Sequence, residues 1–591
     1  MSTKTYATTA KLFNTQKTPQ NQPIPGKNMV ENHAGGFVFA IDDWQRLNRF
    51  LILGSSGNNF YVGEKQLTKE NAEAVIRCLQ LDGKRTVDTI ADISDTGRSP
   101  KNDPAIFALA LCATLGNDET KQYARKNLYK VCRIGTHLFH FADYVQEIKK
   151  GWGHGLRKAI SNWYTEKNTD NLAKQLVKYQ SRDGWSHKDL IRLSHPMSTD
   201  YSKNLAFKWS IDKIGFKKVI ESNELNPKIS WIKDEDLYNK QMEDIKNLLP
   251  MIYAFEQIKK ETNESKIISL VKDYSLPLEA IPTEKRTLKV LDVVLQNLGI
   301  TAIIRHLGEY TSKGLIVPFS DNLKYITKQL LDIEVLKEGR VHPISLLSAL
   351  LIYRNGRGFR GKLAWSPISQ ICDALDESFY LSFGIIEPTG KNILMALDIS
   401  GSMDTSIIAD LPFLSARVAS AAMAMVIART EKNYSIVAFT CGYNGEWNTK
   451  RTGKGQFSNG WYGGSDKSDG ISLLDISPKM RLDTVVNKIS SLPMGGTDLA
   501  LPFLYAAEKG LDAEAVITFT DNETWQNPEI HPCQALDEYR KKLGKPVKSI
   551  VVGMTSTGFS IADPNDVNSL DIVGMDTATP QIISDFIADK I

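Results

Sequence analysis

None of the six cysteines (Cys78, Cys112, Cys132, Cys372, Cys441, Cys533) lies in a CxxC pair. That excludes the common zinc spacings and any dense disulfide framework, and it suits a reducing compartment. No apolar run approaches the length of a membrane span. Neither sign of charge dominates: 72 Lys and Arg against 68 Asp and Glu leave a net charge of +4. The whole-chain balance therefore does not announce a nucleic-acid binder, and any such signal must be local. The first 22 residues are rich in Thr, Lys, Asn and Gln and lack the apolar core of a secretion signal, so residues 1–22 are expected to be a polar, flexible tail. The expectation is a cytoplasmic protein with no membrane partner. What is present is ordinary globular composition, 42% apolar and 24% charged, in a chain of 591 residues. That length requires at least two hydrophobic cores.

The periodicity divides the chain in two. From about Thr68 to Leu381 it is helical. Over Thr68–Leu81, Ala72, Val75, Ile76 and Leu79 fall at helical spacing, with Thr68 as the expected N-cap and Gly83 as a stop. Asp103-Pro104 opens another helix, whose Ile106, Phe107, Leu109 and Leu111 predict burial. Successive helices over about 300 residues predict an α-solenoid. Near Gly390 the pattern changes to short apolar runs alternating with helices. Strands are expected at Asn392–Leu397, Tyr434–Thr440, Ala515–Thr520 and Val547–Val552, which indicates an α/β, doubly wound, largely parallel sheet. The boundaries are then a helical module over 23–388 and an α/β domain over 389–591, with a Gly-rich inserted loop over about 441–477.

Asp398, Ser400 and Ser402 form a D-x-S-x-S loop directly after the first of these strands. Ligands of such sheets bind at the carboxyl ends of strands. One carboxylate and two hydroxyls are hard oxygen donors suited to magnesium or a similar cation. Thr497, expected to open a helix, and Asp521, at the end of the strand Ala515–Thr520, are placed to complete the set. The five positions resemble the metal-ion-dependent adhesion site of von Willebrand A domains. That likeness implies one divalent cation, magnesium or manganese, with a coordination position left open to water or to a partner's carboxylate. Since the fold hosts many roles, it does not identify a function.

Residues 121–193 hold 15 Lys and Arg against 6 Asp and Glu, a local excess of nine, so the rest of the chain is net negative. Tyr and Trp residues are interleaved with these cations. Cations for phosphates and flat rings for unpaired bases are what RNA requires. Lys174 and Lys178 share a helix face. Arg157 and Lys158 follow the Gly-rich turn 151–155, and Arg182, His187, Lys188 and Arg192 surround a helix start at Ser186. Arg133 and His137 complete the candidate RNA-binding set. The structural alternative is a solvated lysine face with Trp163 and Trp185 in the core.

Segments Cys132–Phe139, Gly155–Ala159, Gly184–Leu190, Gly54–Gly57 and Gly356–Lys362 resemble the TROVE module of the Ro ribonucleoprotein family. The similarity continues through Asp398–Met403, Thr520–Thr524 and Gly553–Ser556. The resemblance implies a ring of HEAT-like helical repeats closed by the von Willebrand A domain. It implies small noncoding Y or Y-like RNAs on the basic outer surface and the single-stranded 3′ ends of misfolded RNAs in the central hole. An exoribonuclease such as polynucleotide phosphorylase is the implied protein partner. His187 and the basic residues near it match the region used for RNA.

Two other functions compete, a nuclease and a protein-binding adaptor, and a third resemblance fails. Gly356, Gly361 and Lys362 imitate a phosphate-binding loop, but Leu363 stands where a Ser or Thr is needed, so no nucleotide site is expected there. A nuclease would draw on His137, His140 and His187 as acid and base, yet metal nucleases gather several carboxylates and this segment has few. A metal-dependent adaptor that binds protein, with the helical half as scaffold, is the remaining alternative.

Overall fold

The computed structural model describes residues 17–591 except 56–63, 150, 222–227, 359–360, 385, 409–410, 412–413, 441–469, 493–494 and 528. Arg360 and most of the expected inserted loop lie outside the described residues.

Two strands, β1 (Met29–Glu31) and β2 (Phe37–Ala40), precede a succession of helices running from Asp43 to Leu381. Local capping sets many of the helix starts. Asp42 accepts from the Gln45 amide at 2.7 Å while Gln45 returns a bond to the Asp42 amide at 3.1 Å, a reciprocal box that satisfies two otherwise orphaned donors. The helix expected over Thr68–Leu81 begins a turn earlier, at Glu64, so Thr68 is interior and not a cap. Gly83 is a start rather than a stop: Asp82 accepts from the Arg85 amide at 2.9 Å and caps a helix over Gly83–Thr96. The helix Asp103–Leu115 carries Pro104 in its first turn and is buried on nearly every side. It packs on its successors Asp118–Lys126 and Gly135–Ile148, the neighbour-on-neighbour stacking of a helical repeat array. Two hairpins interrupt the array, β3 (Ser181–Arg182) with β4 (Trp185–Ser186), and β5 (Phe216–Glu221) with β6 (Lys228–Lys233). In the first, Asp183 and Gly184 both have positive φ, as a two-residue turn between right-twisted strands demands.

The array closes on itself. Arg340, near its end, donates to the Asp95 carbonyl at 2.9 Å and pairs with the Asp95 carboxylate at 3.2 Å. His342 contacts the Arg98 carbonyl at 3.1 Å. Both ends also rest on the C-terminal domain. The fully buried Arg49 reaches the carbonyls of Thr557 and Phe559 and the Asp571 carboxylate. From the other end, Asp376 accepts from the Leu482 amide at 2.7 Å and pairs with Arg429.

The C-terminal domain is a six-stranded sheet of β7 (Ile393–Asp398), β8 (Tyr434–Phe439), β9 (Ile471–Leu474), β10 (Ala515–Thr520), β11 (Lys548–Gly553) and β13 (Ser569–Val573), in the order β13-β11-β10-β7-β8-β9. All neighbours are parallel except β9, which runs antiparallel to β8. Strand β7 is buried throughout. Its Ile393, Met395 and Leu397 join one core with the helix Ala416–Thr430, while Leu394 and Ala396 join another with Leu501–Lys509. The period of two thus feeds both faces of a doubly wound sheet.

Two expected segments carry more structure than their composition suggests. Residues 17–41 dock on the C-terminal domain: β2 pairs with β12 (Phe559–Ser560), extending the β1–β2 hairpin to three strands. Gln20 is buried and donates to Asp498 at 2.8 Å, so residues 17–22 are not a flexible tail. The last part of the expected loop 441–477 contains strand β9.

Candidate metal centre and nucleic-acid interface

Three loops meet at the carboxyl end of β7 and β10. The Gly401 amide donates to the Gly495 carbonyl at 3.1 Å, and the amides of Trp525 and Gln526 donate to the Thr497 carbonyl at 3.3 and 3.2 Å. These backbone bonds bring Asp398, Ser400, Ser402, Thr497 and Asp521 together, all of them buried. Thr497 lies in the loop, and the helix after it begins at Leu501. Asp398 is oriented at both oxygens, by the Ser400 amide at 2.9 Å and the Thr520 hydroxyl at 2.8 Å. The hydroxyls of Ser400 and Ser402 are 3.1 Å apart. Asp521 accepts from the Glu523 amide at 3.0 Å.

The electrostatics are those of a site short of positive charge. Burial pushes Asp398 up to about 6. Burial first, and then the neighbouring Asp398 charge, hold Asp521 well above the usual carboxylate range. The Thr497 hydroxyl is buried without a hydrogen-bond partner among the described residues, an arrangement with a cost unless something else satisfies it. Two carboxylates and three hydroxyls with these deficits fit a small, hard divalent cation.

Sequence reasoning missed Thr520, which fixes the second oxygen of Asp398. Its signal was a hydroxyl ending a largely apolar strand. It also missed Glu523, whose carboxylate accepts from the Ala34 amide at 3.0 Å and meets His33 at 2.8 Å in the turn between β1 and β2. Nothing local links positions 490 residues apart.

The basic segment separates into free and committed groups. Arg157, Lys158, Lys174 and Arg192 are exposed and have no ion pair among the described residues. Arg182 is exposed on the β3–β4 hairpin, with Asp183 at 3.6 Å. The others are engaged. Lys178 is half-buried, 3.9 Å from Glu279, and Lys188 pairs with Asp212. Arg133 donates to the Ser94 carbonyl and hydroxyl at 2.6 and 2.8 Å. His137 faces the Asn102 amide at 3.2 Å, and burial pulls it down to about 3.

His187 is a correction. It is 4% exposed, with Nδ1 2.8 Å from the Tyr164 hydroxyl and Nε2 3.1 Å from the Gln175 carbonyl. Phe139 and Trp163 pack around the ring. Both nitrogens are spent inside the fold, so His187 is a core residue and not an RNA contact. Its occupied nitrogens also deprive the nuclease alternative of one of its acid–base groups.

Burial holds His187 and His342 down at about 4. Both must stay neutral in the fold, whereas in the unfolded chain they titrate near 6.5. Their contribution is therefore complete above that value and lost as pH falls toward 4. At pH 5 each should cost about 2 kcal/mol relative to pH 7. Urea unfolding followed by circular dichroism should show the midpoint falling between pH 7 and pH 5, with less fall in His187→Gln. A parent midpoint that is flat over that range contradicts the assignment.

Comparison with known proteins agrees with this architecture. The model of the TROVE domain matches residues 30–351, and that of the Ro60 vWA domain matches residues 392–587. A Deinococcus radiodurans protein named RNA-binding protein RO60 is 34% identical over 583 residues, covering 98% of this chain and 99% of its own length. A Caenorhabditis elegans protein of the same name is 33% identical over 629 residues, covering 98% and 92%. The crystal structure of the Deinococcus radiodurans RO (RSR) protein superposes with a TM-score of 0.62 at 33% identity, over 93% of this chain and all of that one.

Proposed function

The chain belongs to the Ro60 family of TROVE and von Willebrand A proteins, and on that premise we propose that it binds RNA as a ribonucleoprotein and catalyses no reaction. The observation that carries this reading is the set of exposed cations Arg157, Lys158, Lys174 and Arg192, which have no ion pair among the described residues, within a segment of nine excess positive charges. Exposed cations without internal acids are free to displace counterions from phosphate. The names of the relatives, which are those of RNA-binding proteins and not enzymes, support the same reading.

In its finer form the proposal assigns small structured RNAs of the Y type to this basic surface, and the 3′ ends of misfolded RNAs to the interior of the closed helical circuit. A magnesium or manganese ion on Asp398, Ser400, Ser402, Thr497 and Asp521 would leave a position for a carboxylate of a protein partner, such as an exoribonuclease. When bound, the ion supplies a Lewis-acidic docking point; the residues around it hold loops. Cytoplasmic residence is supported by five described thiols that are all free, and no described helix is long and apolar enough to cross a membrane.

Sequencing the RNA recovered with the purified protein tests this. Small structured RNAs and RNAs with single-stranded 3′ tails are expected. Protein recovered free of RNA, but with a protein partner that EDTA releases, would favour the adaptor alternative.

A further inference from the structure

An open cleft of about 340 Å³ lies between the helices Asp118–Lys126 and His154–Thr165, a size at the lower end of small-molecule sites. Its chemistry is mixed in a particular way. Arg125, Lys126 and Lys158 line it, against one carboxylate, Glu166. Tyr129, 53% exposed, offers a flat ring at the cleft, and the amides of Gln122 and Asn162 offer both donors and acceptors.

Two features show that the cleft is built and not a gap between lysines. Its wall includes Trp163, which is buried and donates its indole N–H to the Cys132 carbonyl. Arg125 is half-buried: Nη2 reaches the Ala113 carbonyl at 3.1 Å, while Nε is buried with no hydrogen-bond partner among the described residues. Gly155 is what lets the guanidinium lie there, because a Cβ at that position would stand 2.3 Å from Arg125 Nη1. A guanidinium with one hydrogen bond to the protein among the described residues, set in a cationic cleft, favours an anion.

We propose that this cleft holds one nucleoside monophosphate unit, with its base against Tyr129 and the Gln122 and Asn162 amides and its phosphate among Arg125, Lys126 and Lys158. A ring and side-chain amides can read a base, and three cations neutralise one phosphate. A nucleotide everted from bound RNA and a free mononucleotide share this chemistry. We assign the everted nucleotide, an assignment that rests on the RNA-binding reading above. Bases at bulges and loops are already unstacked and are the ones available to such a site.

The test uses the full-length protein. Calorimetry measures adenosine 5′-monophosphate binding, and gel shifts compare a synthetic RNA hairpin carrying one bulged adenosine with the same hairpin lacking it. The parent should bind the monophosphate and prefer the bulged hairpin. Tyr129→Ala, a change at an exposed position, should weaken both by about tenfold, as expected for loss of one base–aromatic stack. Monophosphate binding lost in Tyr129→Ala, with no preference between hairpins, would support the cleft but assign it to free nucleotides, overturning the everted-base assignment. No monophosphate binding, and equal affinity of parent and variant for both hairpins, would overturn the cleft while leaving RNA binding intact. Failure of the parent to bind either hairpin would count against the RNA reading itself, and the calorimetry would still decide the cleft.

Discussion

Asp398→Asn is expected to abolish magnesium and manganese binding while leaving RNA affinity within about twofold of the parent. The substitution keeps the shape of the side chain and removes one of the two buried carboxylates. The remaining set, Asp521 with Ser400, Ser402 and Thr497, has too little negative charge to replace the cation's hydration shell. The metal-free variant should be at least as stable as the metal-free parent, because Asp398 and Asp521 stand in one buried site and each disfavours ionisation of the other. Metal should therefore raise the melting temperature of the parent alone, by the equivalent of about 2.7 kcal/mol at a hundredfold excess over Kd. Loops at the end of the sheet should tighten without a change in the sheet itself. If Asp398→Asn gains as much as the parent from magnesium, these five residues are not the site. If it stays folded but loses RNA affinity, the two modules are coupled through the loops.

Why this site was legible while much else was not follows from the range of the interactions. Asp398, Ser400 and Ser402 lie within five residues at the end of a strand, and the buried apolar run Ile393–Leu397 announces that strand. Strand period and loop chemistry are local, so the sheet and its candidate ligand loop could be read directly. The docking of residues 17–41 could not. Gln20 finds Asp498, and Asn32 donates to the Thr524 carbonyl at 2.9 Å, across nearly 500 residues with no periodicity to mark either pair.

The basic segment shows a subtler limit. Composition gave its charge correctly, but composition does not say which cations are already paired. Lys174 and Lys178 share a helix, yet only Lys174 is exposed; Lys178 lies against Glu279 from a distant turn. His187 carries a polar label in the sequence, and its partners Tyr164 and Gln175 make it interior. Cap chemistry misleads by one turn for a related reason: Thr68 is a good cap, but the helix extends back to Glu64 before it.

The second large effect concerns the cations that remain free. Arg157, Lys158, Lys174 and Arg192 are exposed and carry no ion pair among the described residues, so replacing all four by alanine should leave the fold intact. Surface changes of this kind alter stability by about 0.5 kcal/mol or less each. Their effect on RNA binding should be far larger, since each phosphate contact contributes through release of a condensed counterion. Changing Lys178, Lys188 or Arg133 instead should act mainly on stability, because their charges serve carboxylates or carbonyls of the protein.

The most direct measurement is the affinity of the parent and the Arg157→Ala/Lys158→Ala/Lys174→Ala/Arg192→Ala variant for one structured RNA hairpin across a series of salt concentrations, with circular dichroism confirming that both are folded. The account predicts that the parent's log affinity falls linearly with log salt, and that the variant binds about a hundredfold or more weakly at low salt with a slope shallower by about 3 to 4. Superimposable lines for parent and variant would contradict it.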